Sequence, residues 1–207
     1  MKKVIGSVYA AVNRCRIYVL SIFICYCISC FIGIIMAHNR NELALSCRDR
    51  IVGKSIKTEK ASINYLERNY FSAALYDFGG NLFAGAIPQT IMGLGIVIPY
   101  ISVAYQGWVG GIVSVDSEHK SRLKNFKSSF YYFFVLILQF IPYSLAIGAG
   151  IKCGVDFYNT NKIHNWSFTK FRFQKASLVD IGYVYILVVP LFLLASLFEF
   201  LSTWNMQ

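Results

Sequence analysis

Residues 18–36, YVLSIFICYCISCFIGIIM, carry no acid or base over nineteen positions. A stretch of about 18 or more apolar residues with few charges reads as a membrane-spanning helix. That reading sets the class of the whole chain. Of its 207 residues 56% are hydrophobic and only 14% are charged, and mean hydropathy is +0.50. Soluble domains carry about 25% charged residues. The charges here cluster, leaving long apolar runs between them. A retained first helix is preferred to a secretory leader, because the apolar part exceeds a signal core and no small-x-small cleavage site follows it.

Working outward, residues 1–17 hold Lys2, Lys3, Arg14 and Arg16 and no acid. Residues 37–69 are polar and basic, and Ile63, Leu66 and Tyr70 at their end have near-helical spacing, which suits a helix lying on the membrane surface. Residues 70–115 contain Asp77 as their sole acid or base, with Pro88 and Pro99 as punctuation. Residues 116–127 form a basic loop, and 152–180 are polar and aromatic. The expectation is an all-α, multi-pass transmembrane bundle forming a single domain over 1–207. Its four spans lie near 18–36, 91–114, 128–151 and 181–203, with 70–88 as a fifth span or a re-entrant half-helix. Four spans split the 20 Lys and Arg residues eight to twelve across the membrane, and five spans split them nine to eleven. Neither split orients the chain by the positive-inside rule; the acid-free basic head tips the N-terminus inward.

The formal charge is +10. Its basic residues lie between spans, where they meet anionic headgroups, and they form no basic–aromatic array of the kind that binds nucleic acid. Membrane lipids are therefore the expected partners, with no nucleic acid.

Within 70–115, NLFAGAIPQTIMGLG (81–95) places polar and glycine residues inside an apolar run. Asp77, Asn81 and Gly85 fall at i, i+4, i+8 and share a helix face, with Gly80, Ala84 and Pro88 beside it. Gln89, Gln106 and Gln139 extend the polar series into neighbouring segments. Two readings stand. In the first, these residues are interhelical glue, since intramembrane amides find partners on other helices. In the second, they line a polar path, with Pro88-Gln89-Thr90 as the break of a discontinuous helix. Glycine at 80, 85, 107, 111, 150 and 154 suits close helix crossings. Glu199 reads as an end-of-helix carboxylate reaching the interface.

Cys25, Cys27 and Cys30 lack the paired spacing of a zinc site and lie mid-span, where cysteine behaves as a small hydrophobe. Cys47 and Cys153 could pair only if they share one oxidising side, which four spans permit and five forbid. Cys15 borders the first span and is a candidate for palmitoylation. The chain has no metalloprotease, nucleophile-elbow or phosphate-loop motif, and its three histidines, His38, His119 and His164, are scattered outside the spans. The expectation is a protein with no catalytic residues, metal or cofactor.

The segment FSAALYDFGGNLFAGAIPQTIMGLGIVIPYISVAYQGWVGGIVSV (71–115) resembles the first signature of the stage II sporulation protein M family. The matches are Asn81-Leu82, Gly93 and Gly95, then Gln106-Gly107 and Gly111. IPYSLAIGAGIKCG (141–154) is similar to the second signature at Pro142, Gly148, Gly150 and Gly154. Gln106 stands where the family has Asn, and Tyr143-Ser144 replaces His-Gly. The resemblance implies a multi-pass protein of the bacterial cytoplasmic membrane, working beside other envelope proteins and without catalytic residues of its own. The functional expectation is a scaffold that recruits envelope membrane proteins, or further copies of itself, through 37–69 and 152–180. Phe157, Tyr158, Trp166, Phe168, Phe171 and Phe173 supply contact area in the second of these segments. The alternative is a permease or channel subunit with a polar path lined by Asp77, Asn81, Gln89, Gln106 and Gln139.

Overall fold

The computed structural model describes residues 2–163 and 173–202, and their regular structure is helical. Three helices are long and apolar enough to cross a membrane: α1 (Lys2–His38), α7 (Phe126–Ile163) and α8 (Lys175–Leu201). At 1.5 Å per residue, α1 and α7 are each about 55 Å long and exceed the ~30 Å hydrocarbon core. Their polar ends therefore project beyond it. Between α1 and α7 lie α2 (Glu42–Thr58), α3 (Lys60–Leu66), α4 (Tyr70–Gly79), a π-helical stretch (Gly80–Ala86), α5 (Ile87–Met92), a 3₁₀ turn (Gly93–Gly95) and α6 (Ile98–Ile112).

The expected fourth span at 91–114 is not one straight helix, so four spans is corrected to three plus a broken hairpin. The chain descends through α4, the π-helical stretch and α5, turns at 93–97 and returns as α6. The break is not at Pro88-Gln89-Thr90. Pro88 sits in the first turn of α5, where its missing N–H is harmless. The strain that a proline ring places on the preceding turn is taken up upstream by π-helical geometry, in which the Ile87 N–H reaches back five residues to the Leu82 carbonyl. The reversal itself is at Ile96, with φ 54, flanked by a Val97 N–H to Gly95 carbonyl bond of 2.5 Å. That pairing is a γ-turn with positive φ, a costly conformation for a β-branched residue. It leaves α6 only 15 residues long, about 22 Å and short of a full crossing.

Both ends of the hairpin lie at one end of the bundle, the end that carries α2. There the His38 ring bonds the Ser121 hydroxyl at 2.9 Å, and Asp49 of α2 pairs with His119 at 2.9 Å. Arg48 and His119 hold the Asp49 carboxyl below the usual range. Ala37, Ala44, Ile112 and Val115 form the apolar cluster beneath. The segment 42–58, read from sequence only as hydrophilic, is a helix capped by Asn41, whose side chain accepts from the Ala44 N–H.

At the far end, Arg14 donates twice to Asp180, at 2.8 and 2.5 Å. Lys152 pairs with Asp156 and approaches Asp180 at 3.8 Å, and Ser177 donates to Asp156. Two cations and two anions thus join α1, α7 and α8. The segment 152–180 is correspondingly less of a loop than its composition implied, because α7 runs to Ile163 and α8 starts at Lys175. Phe157 and Phe173 stack there, with centroids 4.6 Å apart. Trp166, Phe168, Phe171 and His164 lie outside the described residues.

The six cysteines are free. Cys47 belongs to the α2 end, whereas Cys153 lies 27 residues into α7, about 40 Å away along its axis. The two cannot pair. Cys15 is fully buried in the core with Ala11, Ala146 and Val188, so it offers no sulfur to a modifying acyl chain.

Candidate functional site

The polar residues of the hairpin meet α7 and α8 along its descending leg. The Asp77 carboxylate accepts from Asn81 at 2.9 Å and from the Ser196 hydroxyl of α8 at 2.6 Å. The Asn81 carbonyl in turn accepts from the Tyr143 hydroxyl of α7 at 2.9 Å. One carboxylate and one amide therefore connect three helices. Lower down, the Thr90 hydroxyl lies 2.8 Å from the Ala86 carbonyl and 2.8 Å from the Tyr185 hydroxyl. These are the bonds expected of polar groups removed from water, each satisfying a neighbour that hydrocarbon cannot.

Gln106 and Gln139 lie elsewhere. Together with Tyr26, Phe140, Tyr143 and Glu199 they line a cavity of about 240 Å³ between α1, α6, α7 and α8. Glu199 accepts from Gln139, and the Tyr131 hydroxyl donates to the Glu199 main-chain carbonyl at 3.0 Å. Glu199 is thus turned into the bundle rather than reaching the interface, which corrects its sequence reading. The signal was present in the sequence: Ser196 and Glu199 are i, i+3 on one face of α8. Tyr143 touches both groups, so the Asp77–Asn81 network forms the cavity's rear wall. Gln89 joins neither; it is buried on α5, and its amide oxygen has no hydrogen-bond partner among the described residues. The five-residue stripe is therefore split into an interhelical clasp (Asp77, Asn81), a cavity pair (Gln106, Gln139) and a separate buried amide (Gln89).

The glycines determine how closely the elements approach. A Cβ on Gly111 would overlap the Cys30 carbonyl and stand 2.7 Å from the Ile34 nitrogen, and one on Gly107 would stand 2.5 Å from the Tyr26 carbonyl. These two positions seat α6 against α1. A Cβ on Gly150 would overlap the Thr90 carbonyl, and one on Gly154 would stand 2.8 Å from the Gly93 carbonyl. These seat α5 and the 3₁₀ turn against α7. Gly85 faces the Tyr143 ring. Gly80 has open space around it, so it lies at no helix crossing, contrary to its sequence reading. Gly33, Gly93 and Gly148, outside the sequence-derived packing set, also meet neighbouring backbone.

The cavity opens toward the α2 end. A larger cleft of about 790 Å³ shares Val135, Leu136 and Glu199 with it and ends among Arg122, Lys124 and Lys127. In the other direction Phe140 and Tyr143 form its floor. Below them Gly148 meets the Val19 backbone and Gly150 meets Thr90. Among the described residues, no group of three or more His, Cys, Asp or Glu side chains is placed to share a metal ion.

No family model, curated protein or solved structure matches this chain.

Proposed function

We infer that this chain is a noncatalytic integral membrane protein of the bacterial cytoplasmic membrane, of the stage II sporulation protein M type, that recruits other envelope proteins. The start of α1 and the end of α8 lie on opposite sides of the bilayer, with the hairpin entering and leaving from the α2 side. The observation that carries this reading is the closure of the bundle beneath Tyr143. There, backbone meets backbone at Gly93, Gly148, Gly150 and Gly154, and the Thr90 hydroxyl bonds across to α7 and α8 instead of facing a channel. Such packing suits a rigid platform. The surface it presents is α2, where Arg50, Lys54 and Lys57 are exposed beside exposed Leu43 and Ile56. Reversing the three charges should remove the proteins that co-purify with wild type from native membranes while insertion is unchanged. Undiminished co-purification would sink the recruiting role.

A second reading, a permease or channel subunit, draws on the cavity that holds Gln106, Gln139 and Glu199. Intramembrane ionisable residues facing a cavity mark transport paths in many proteins. Replacing Gln106 and Glu199 with Leu should then abolish flux in proteoliposomes while the protein stays monodisperse. Flux equal to wild type would remove that reading.

A further inference from the structure

We propose that the cleft at the start of α7 is a binding site for the phosphate headgroup of an anionic membrane lipid, with one acyl chain lying along α7 toward Leu136.

The argument begins with the order of side chains down one face of α7. Lys127 and Ser128 come first, Tyr131 and Tyr132 follow one turn later, and Val135 and Leu136 one turn after that. Residues four apart on a helix lie above one another. The face therefore passes from cationic, through aromatic, to aliphatic in about 13 Å. That is the polarity sequence of a phospholipid read from phosphate through glycerol to hydrocarbon.

The mouth is completed by Arg122 and Lys124 from the preceding loop. Neither side chain makes an ion pair or hydrogen bond among the described residues, whereas nearby Lys120 is paired with Glu118. Asp116 is the acid at this mouth. The main-chain N–H groups of Lys120 and Glu118 both donate to its carboxylate and hold it below the usual carboxylate range. Its charge is shared with these two amides and also attracts Lys124, but Lys124 is not bonded to it, so Arg122 and Lys124 keep their donors for a phosphate. An Arg and a Lys side by side suit this ligand, because guanidinium binds phosphate oxygens in a fork and ammonium adds a point charge. Glu199 closes the deep end beside Val135 and Leu136, where the cleft offers no basic side chain, so the phosphate belongs at the mouth.

The depth of the cleft favours a lipid over a soluble phosphate compound. Phe126, Phe130 and Phe134 are exposed on the neighbouring face of α7 and stack in series, with centroids 6.2 and 5.8 Å apart. Beside them, lining the cleft, stand Tyr131 and Tyr132, the aromatic type with a polar tip that is enriched at the membrane interface. The mouth of the cleft lies at that level.

The test uses the full chain in a neutral detergent, titrated with dioleoylphosphatidylglycerol, dioleoylphosphatidylcholine or inorganic phosphate and read by native mass spectrometry. Phosphatidylglycerol should be retained about thirtyfold more than phosphatidylcholine, since Arg122 and Lys124 act on its net charge. Arg122→Gln with Lys124→Gln should erase that preference. Exchanging the pair, Arg122→Lys with Lys124→Arg, should keep it, and so should Arg40→Gln with Arg68→Gln, two exposed residues outside the cleft. Equal retention of the two lipids by wild type would overturn the proposal without reference to any variant. So would undiminished preference in the Arg122/Lys124 pair, or full displacement of the lipid by millimolar inorganic phosphate, which would make the site one for free phosphate.

Discussion

Replacing Gly150 with Ala tests one of the tightest backbone contacts in the fold. The added Cβ would overlap the Thr90 carbonyl oxygen and stand 2.9 Å from the Thr90 carbonyl carbon and 3.0 Å from its Cα. Every one of these neighbours is backbone, so no rotamer change can make room. Helix α5 must move off α7, and this loosens the Thr90–Tyr185 hydrogen bond at the same crossing. Overpacking of this kind costs about 1–3 kcal/mol. Weakening one interhelical hydrogen bond in a membrane adds about 0.6 kcal/mol. Against this, Ala is the better helix former by about 0.8–1.0 kcal/mol. The net expectation is a loss of about 0.6–2.8 kcal/mol. Gly182 on α8 provides the control, because a Cβ there meets nothing within 4 Å. Gly182→Ala should be neutral or stabilising by up to about 1 kcal/mol. Reversible unfolding in mixed detergent micelles, followed by circular dichroism, measures both. If Gly150→Ala proved as stable as Gly182→Ala, the backbone contact between α5 and α7 would not exist, and the closure of the bundle would lose its basis.

The clasp across the hairpin can be measured as a coupling: Asp77→Ala and Ser196→Ala, alone and together, should show an interaction of about 0.6–1.7 kcal/mol in the same unfolding assay, and strict additivity would mean that the two side chains do not meet. Asp49 offers a pH test. Its carboxyl is depressed by Arg48 and His119 in the folded state, so its contribution is present above the ordinary carboxylate pKa and is lost as pH falls through the depressed value. Hydrogen exchange at the amides of 117–122 should therefore accelerate at acid pH, beyond the intrinsic trend, and Asp49→Asn should remove that dependence. Topology is addressed by cysteines introduced at Lys57 and Lys175 in a background lacking the native thiols. A membrane-impermeant maleimide should label them from opposite faces, whereas labelling from the same face would restore the four-span arrangement.

The membrane class, the three long helices and the unusual character of 81–95 are legible in the residues alone. An uncharged run of nineteen residues has one favourable environment, and a run that carries Asn, Gln, Thr and three glycines must turn toward protein. Composition also marks glycines at 107, 111, 150 and 154 as positions where helices approach. Sequence does not say which polar groups meet. Asp77 and Glu199 look alike as single acids in apolar stretches, yet one is held by Ser196 and Asn81 and the other by Gln139, because pairing depends on the rotation of α8 against α4 and α7. The break at Ile96 is equally hidden, since nothing about Ile favours positive φ; the turn is imposed by Gly93 and Gly154 locking the descending leg to α7. Hydrophobicity acts residue by residue and so can be read along a chain, whereas the clasp, the cavity and the basic cleft are relations between helices, and only their packing places those residues together.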